Sequence, residues 1–284
     1  MPWLDVGPVV AALVVGAVVA GLFVAARVVA RGGLGANAFV GSPRRDVGLS
    51  ALDVATAGLI IILGLTVHGR IQLAWYGGQP PVPDLMAPAE VAAWTLVGQF
   101  LCQLPTVVFL LWRTGRDHWG DLGLRPRRAG REAAAAAAAL VLALPLIYGL
   151  TAAVIALGRA AGAEEPFVGH DLLPVFERAA GNWSIVPLVA SVVLVAAVLE
   201  EMIFRGLLQT VLHGAGGKSR PWAAILVASV CFAMFHASVP WQSLPGLFVL
   251  GIIFGWLYER HGSLLPSVLA HAGFNAVNVA MVVF

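Results

Sequence analysis

The chain predicts an all-α, multi-pass transmembrane bundle, and three observations carry that reading. Of its 284 residues, 60% are hydrophobic and only 11% are charged, whereas a soluble domain carries about 25% charge. The mean hydropathy is +0.88. Apolar runs of about 20 residues, the length that crosses the hydrocarbon core, recur along the whole chain.

Eight spans are expected, at about 7–27, 49–69, 92–113, 133–157, 184–208, 222–239, 244–259 and 264–284. The first has no positive segment before it, and Arg27 and Arg31 follow it. That order suits an uncleaved first span rather than a removable signal. Of the 17 Lys and Arg residues, 14 fall in or beside the odd-numbered loops. Six of these are arginines between spans three and four, at 113, 116, 125, 127, 128 and 131. Positive loops stay in the cytoplasm, so both termini are expected outside. Residues 75–91 read as an irregular turn-rich outer loop. Residues 159–183 read as either a short interfacial helix or a solvated connector.

Within the spans, the alanine run 133–139 and the pair Gly251-x-x-x-Gly255 read as close-packing helix surfaces. Pro105 and Pro145 are expected to kink spans three and four. Cys102 and Cys231 lie inside apolar runs and give neither a disulfide framework nor a CxxC pattern. A net charge of +2 with no basic tract gives no reason to expect a nucleic-acid partner. The partner that composition demands is the lipid bilayer.

Polar residues then concentrate in the last hundred positions. Glu200 and Glu201 end the apolar run 185–199, with Arg205 one turn later. An ionisable group at membrane depth costs about 2.5–3.5 kcal/mol on insertion scales, and two adjacent carboxylates also repel. Glu201 and Arg205 share a helix face at i,i+4, in the favourable order for an ion pair. Glu200 is turned about 100° away, which frees it for another task. Phe232 and His236 share a face of span six, and His271 and Asn275 a face of span eight. At 1.5 Å per residue the three groups lie about 15–24 Å from the cytoplasmic loops, close enough in depth to meet.

Two glutamates, an arginine, two histidines and an asparagine suit hydrolysis. Glutamate beside histidine activates water as a general base. Histidines with a glutamate can instead ligate a divalent metal such as zinc, here through Glu200, His236 and His271. A histidine and an asparagine can stabilise an oxyanion. No serine or cysteine is placed as a nucleophile. These alternatives stay open on spacing alone.

The ordered motifs EExxxR, FxxxH and HxxxN on separate spans resemble the CPBP family, the type II CAAX prenyl endopeptidases and bacteriocin-processing (Abi) proteins. The resemblance covers about 184–280. It implies an intramembrane peptidase domain over 131–284, preceded by transmembrane helices with basic cytoplasmic loops at 1–130. It implies Glu200 as the catalytic glutamate and His236 as its partner in water activation. His271 and Asn275 match the oxyanion pair or further metal contacts, and Glu201, Arg205 and Phe232 support them. The implied substrate is a membrane-associated peptide or protein, prenylated or bacteriocin-like, at a bacterial cell membrane. Two other functions compete: a non-catalytic immunity or scaffold protein, and a proton-coupled transporter built on buried Glu and His.

Overall fold

The computed structural model of the chain describes residues 38–39, 47–75, 89–162, 176, 181, 183–214, 221–237 and 239–283. The expected first span at 7–27, the outer loop over 76–88 and most of the connector over 159–183 lie outside the described residues. The described part is α-helical throughout, with short 3-10 and π turns and no strand among the described residues. The expected all-α class therefore holds.

The helices are α1 (Ala51–Trp75), α2 (Ala89–Leu101), α3 (Leu104–Thr114), α4 (Ala129–Ala160), α5 (Ile185–Gly214), α6 (Pro221–Phe235), α7 (Leu244–His261) and α8 (Leu265–Val283). Five stretches are long and apolar enough to cross a bilayer: Ala51–Trp75, Leu96–Thr114, Ala129–Ala160, Ile185–Gly214 and Trp241–His261. Helix α6 ends at Phe235 rather than at the expected 239. Its 15 residues reach about 22 Å, short of the roughly 30 Å core. It stops because the chain turns at His236 and Ala237 and meets Pro240, which cannot continue a helix.

Span three also differs from expectation. Pro105 does not kink one helix; it opens a new one, at the first turn of α3, where a missing N–H costs nothing. The break at Cys102 and Gln103 is held by Gly64 of α1, where a Cβ would lie 2.7 Å from the Cys102 carbonyl. Helix α4, by contrast, runs through Pro145 without interruption.

Helix starts are fixed by local chemistry. Asp53 accepts from both the backbone N–H and the hydroxyl of Ser50 at 2.8 Å, the returning half of a capping box at the head of α1. Arg113 of α3 reaches the same carboxylate at 2.8 Å and donates to the Gly48 carbonyl, tying those two helix ends together. Glu132 accepts from the Arg127 and Arg128 amides and caps α4. Gly262, at φ 63°, ends α7, and its N–H closes on Tyr258.

Burial separates the helices into two kinds. Along α1 the apolar side chains Leu59, Ile62, Leu63, Val67 and Ile71 are exposed, as a lipid-facing helix requires. Its narrow buried stripe is Asp53, Ala57 and Ile61, one turn apart. Helix α5 is the bundle's axis: it touches α2, α3, α6 and α8, and α7 closes over its second half. The exposed tryptophans Trp75, Trp112, Trp183 and Trp241 stand at or beside helix ends, where amphipathic rings meet a membrane–water interface.

Candidate active site

The two glutamates lie midway along α5, in a segment (Ala196–Glu201) bracketed by two π-helical stretches, Ser191–Val195 and Met202–Gln209. Such stretches shift the hydrogen-bond register and release carbonyls. In the first, the Ala196 N–H bonds to Ser191, five residues back. The Val192 carbonyl is thereby free to accept the Asn275 amide of α8 at 2.8 Å. In the second, the Thr210 hydroxyl donates to the Arg205 carbonyl at 3.0 Å. Nothing in the side-chain pattern of α5 signals these turns, and sequence reasoning missed them.

Glu201 and Arg205 meet as their spacing predicted. Arg205 Nε is 3.3 Å from Glu201 Oε2, and both side chains are fully buried. Arg205 also donates from Nη2 to the Gly251 carbonyl of α7. Three rings surround its guanidinium: Phe232, Phe254 and Phe204, with centroids 4.8, 5.5 and 5.9 Å from Cζ. A desolvated cation over an aromatic face gains about 2 kcal/mol. One turn on, Gln209 donates to the Gly255 carbonyl and to Glu259. The glycine pair expected to be a packing surface is one, and it also presents two carbonyls to α5. That approach works because no side chain intervenes. A Cβ on Gly251 would meet Ser229 Cβ at 2.9 Å, and one on Gly255 would meet Gln209 at 2.7 Å.

Both histidines are oriented through Nδ1. His236 Nδ1 lies 2.9 Å from the Phe232 carbonyl. A carbonyl only accepts, so Nδ1 carries a hydrogen, and in the neutral ring Nε2 keeps its lone pair. His271 Nδ1 lies 3.0 Å from Glu201 Oε1, a carboxylate beside a guanidinium, and the same reasoning leaves its Nε2 bare. Both Nε2 atoms then face one atom, Glu200 Oε2, at 3.6 Å from His236 and 3.9 Å from His271. That oxygen is buried and has no hydrogen-bond partner among the described residues. With both imidazoles neutral and Glu200 ionised, three acceptors converge there, at separations too long for direct bonds. The His236 side chain keeps 21% exposure, against 6% for Glu200 and 4% for His271, so access runs past His236.

The structure therefore gathers Glu200, Glu201, Arg205, Phe232, His236 and His271 in one place. Asn275 lies a turn further along α8, tied to Val192. The donor types around Glu200 would suit a divalent cation, since second-shell hydrogen bonds to each Nδ1 fix the ligating nitrogens. As placed, however, no three His, Cys, Asp or Glu side chains among the described residues are arranged to hold an ion.

Comparison with known proteins agrees with this picture of the site-bearing region. Residues 182–277 match the model of the family described as type II CAAX prenyl endopeptidase Rce1-like. A curated protein of Lactococcus lactis subsp. lactis (strain IL1403), UPF0177 protein YxdF, is 30% identical over 76 residues, which are 27% of this chain and 39% of that protein. The match thus spans about two-fifths of that relative's length. No solved structure matches the chain. The region similar to that family, residues 182–277, carries α5, α6, α7 and most of α8.

Proposed function

We propose that the chain is an intramembrane endopeptidase in which Glu200 and His236 activate a water molecule against a peptide bond. The supporting observation is the facing pair Glu200 Oε2 and His236 Nε2, 3.6 Å apart and beyond direct hydrogen-bond reach, with the Glu200 oxygen buried and unpartnered among the described residues. Polar groups at such a separation are spanned by water. A water that donates one hydrogen to each acceptor turns its lone pairs outward, toward an approaching carbonyl carbon.

In the step a proton moves from water onto the Glu200–His236 pair, and the negative charge passes from the pair to the hydroxide. The hydroxide adds to the carbonyl carbon, and a tetrahedral oxyanion carries that charge. His271 stabilises it from Nε2 in the imidazolium form, which takes its second proton from solvent, its Nδ1–H remaining on Glu201. Asn275 contributes its second amide hydrogen, the first being held by Val192. The proton taken from water then passes to the leaving nitrogen and the C–N bond breaks. A carboxylic acid and an amine depart, and the acid gives up its proton to the amine or to solvent.

The substrate in this reading is a membrane-associated peptide, prenylated or bacteriocin-like, or a segment of another membrane protein. The host membrane is the cell membrane, with the basic loops in the cytoplasm and both ends of the chain outside. Purified protein in detergent, offered prenylated and unmodified membrane peptides, should cleave members of one class. Glu200→Ala and His236→Ala should remove that activity. Equal cleavage by all three proteins would overturn the proposal. Wild type that cleaves nothing yet protects cells from a toxin peptide, with Glu200→Gln equally protective, would favour an immunity role. A chelator separates the two roles of the cluster: cleavage that survives it would keep Glu200 and His236 as a general-base pair. Loss that zinc restores would move Glu200, His236 and His271 into the role of metal ligands.

A further inference from the structure

Helix α7 contributes no ionisable group to the reactive cluster, yet one of its side chains lies against two members of that cluster. The Phe254 ring stacks on the His271 imidazole, with centroids 4.9 Å apart and planes 20° from parallel. It also lies 5.5 Å from the Arg205 guanidinium carbon. Phe254 is 1% exposed, so neither contact is shared with lipid. Its backbone is held by the same neighbour: the Ser267 hydroxyl of α8, one turn before His271, donates to the Phe254 carbonyl at 2.9 Å.

The His271 ring has three restraints. Glu201 fixes Nδ1 at 3.0 Å. Phe232 meets the ring edge-on, at 5.8 Å and 83°. Among the described residues, Phe254 is the ring that covers a face. The imidazole turns about its Cβ–Cγ bond, and the hydrogen bond at Nδ1 tolerates part of that turn, which swings Nε2 away from Glu200. A stacked ring opposes that rotation because tilting the imidazole breaks face contact. The Phe254 ring can do so only if α7 sits close to α5 and α6, and Gly251 and Gly255, flanking it, permit that approach.

We infer that Phe254 is a positioning residue: by stacking on His271 it sets the plane of the imidazole and aims Nε2 at Glu200 and the reacting carbonyl. The effect on rate rests on the peptidase reading; the effect on the imidazole does not.

Phe254→Leu keeps an apolar side chain and removes the flat face, whereas Phe254→Tyr keeps the face. On a cleaved peptide, Phe254→Leu should lower kcat on the order of ten- to a hundredfold, as expected of a misaimed group, while KM stays within about twofold. Phe254→Tyr should retain most of the wild-type kcat. Equal kcat in wild type and Phe254→Leu, or an equal fall in both variants, would overturn the inference. A loss expressed in KM alone would also overturn it. Independently of turnover, histidine ring nitrogens labelled with 15N should report the Nδ1–H form of His271 in wild type, assigned by its absence from His271→Gln. That signature should shift toward a mixture of tautomers in Phe254→Leu and not in Phe254→Tyr. An unchanged signature in Phe254→Leu would refute the positioning role even if the chain cleaved nothing. A shifted signature in a chain without peptidase activity would overturn only the functional reading.

Discussion

Glu200 and Glu201 are neighbours in sequence and opposites in environment. Glu201 is paired: Oε1 lies 3.0 Å from His271 Nδ1, and Oε2 forms a fully buried ion pair with Arg205 Nε at 3.3 Å, without a hydrogen bond of its own among the described residues. Glu200 is starved: its buried Oε2 faces two imidazole nitrogens, has no hydrogen-bond partner and has no Lys or Arg in ion-pair contact among the described residues. One carboxylate has the countercharge that a buried ion needs. The other has imidazoles alone. A charge with a counterion ties helices together, and one without is left to act on a substrate. The contrast arises from a rotation of about 100° along one helix.

The largest expected effect tests the starved side. Glu200→Gln preserves shape but cannot take the proton. It should reduce kcat by about 10²–10⁴, the range that general-base catalysis supplies, and leave the melting temperature in detergent near that of wild type. A stability loss as large as the activity loss would erase the distinction between the two carboxylates.

The ion-paired side should fail differently. Arg205→Met leaves Glu201 as an unpaired buried charge, and breaking one partner of a buried pair costs about 3–5 kcal/mol. Unfolding of Arg205→Met should reveal this. The double variant Glu201→Gln/Arg205→Met should be less destabilised than the sum of the two single changes, since adjacent partners are not additive. Strict additivity would mean that Arg205 stabilises the fold through its three phenylalanine rings rather than through Glu201.

A third test moves to the helix that lets Arg205 be reached. Gly251→Ala would bring a methyl group to 3.0 Å from the Ser229 backbone and 2.9 Å from its Cβ. Such overpacking costs about 1–3 kcal/mol. Gly130, with nothing within 4 Å of a Cβ, is the control, and Gly130→Ala should be neutral or slightly stabilising. Equal effects at both positions would show that α7 need not approach α5 closely.

How much of this was legible in the chain depends on which contacts are local. The all-α class, five of the expected spans and the Glu201–Arg205 pair follow from composition, run length and i,i+4 spacing, which are properties of one helix at a time. The meeting of Glu200 with His236 and His271 followed from depth, because helices of known rise cross a slab of known thickness. The helix break at Gln103 and the early end of α6 were misread because apolar runs do not stop where hydrogen bonding does. The π turns of α5, the release of the Val192 carbonyl and the stacking of Phe254 on His271 were not legible. Each depends on how two helices register against one another. The sole sequence trace of that register was Gly251-x-x-x-Gly255, read as packing without its partner.

Asn275 stands between the two environments, and it carries the smallest expected effect. One amide hydrogen is committed to the Val192 carbonyl at 2.8 Å, which makes it a strut between α8 and the first π turn of α5. The other remains for a developing oxyanion. Asn275→Ala removes both. Loss of a single intramolecular hydrogen bond lowers stability by about 0.5–1.5 kcal/mol, and loss of one weakly placed oxyanion donor should lower kcat by an amount well under the 10²–10³ of a fully committed donor. Asn275→Asp separates the two roles. As a carboxylate it cannot donate to Val192 and would repel the oxyanion, so it should be worse than alanine in both stability and kcat. If Asn275→Asp instead matches alanine in kcat while losing more stability, Asn275 belongs with Glu201 on the structural side, and the oxyanion is left to His271.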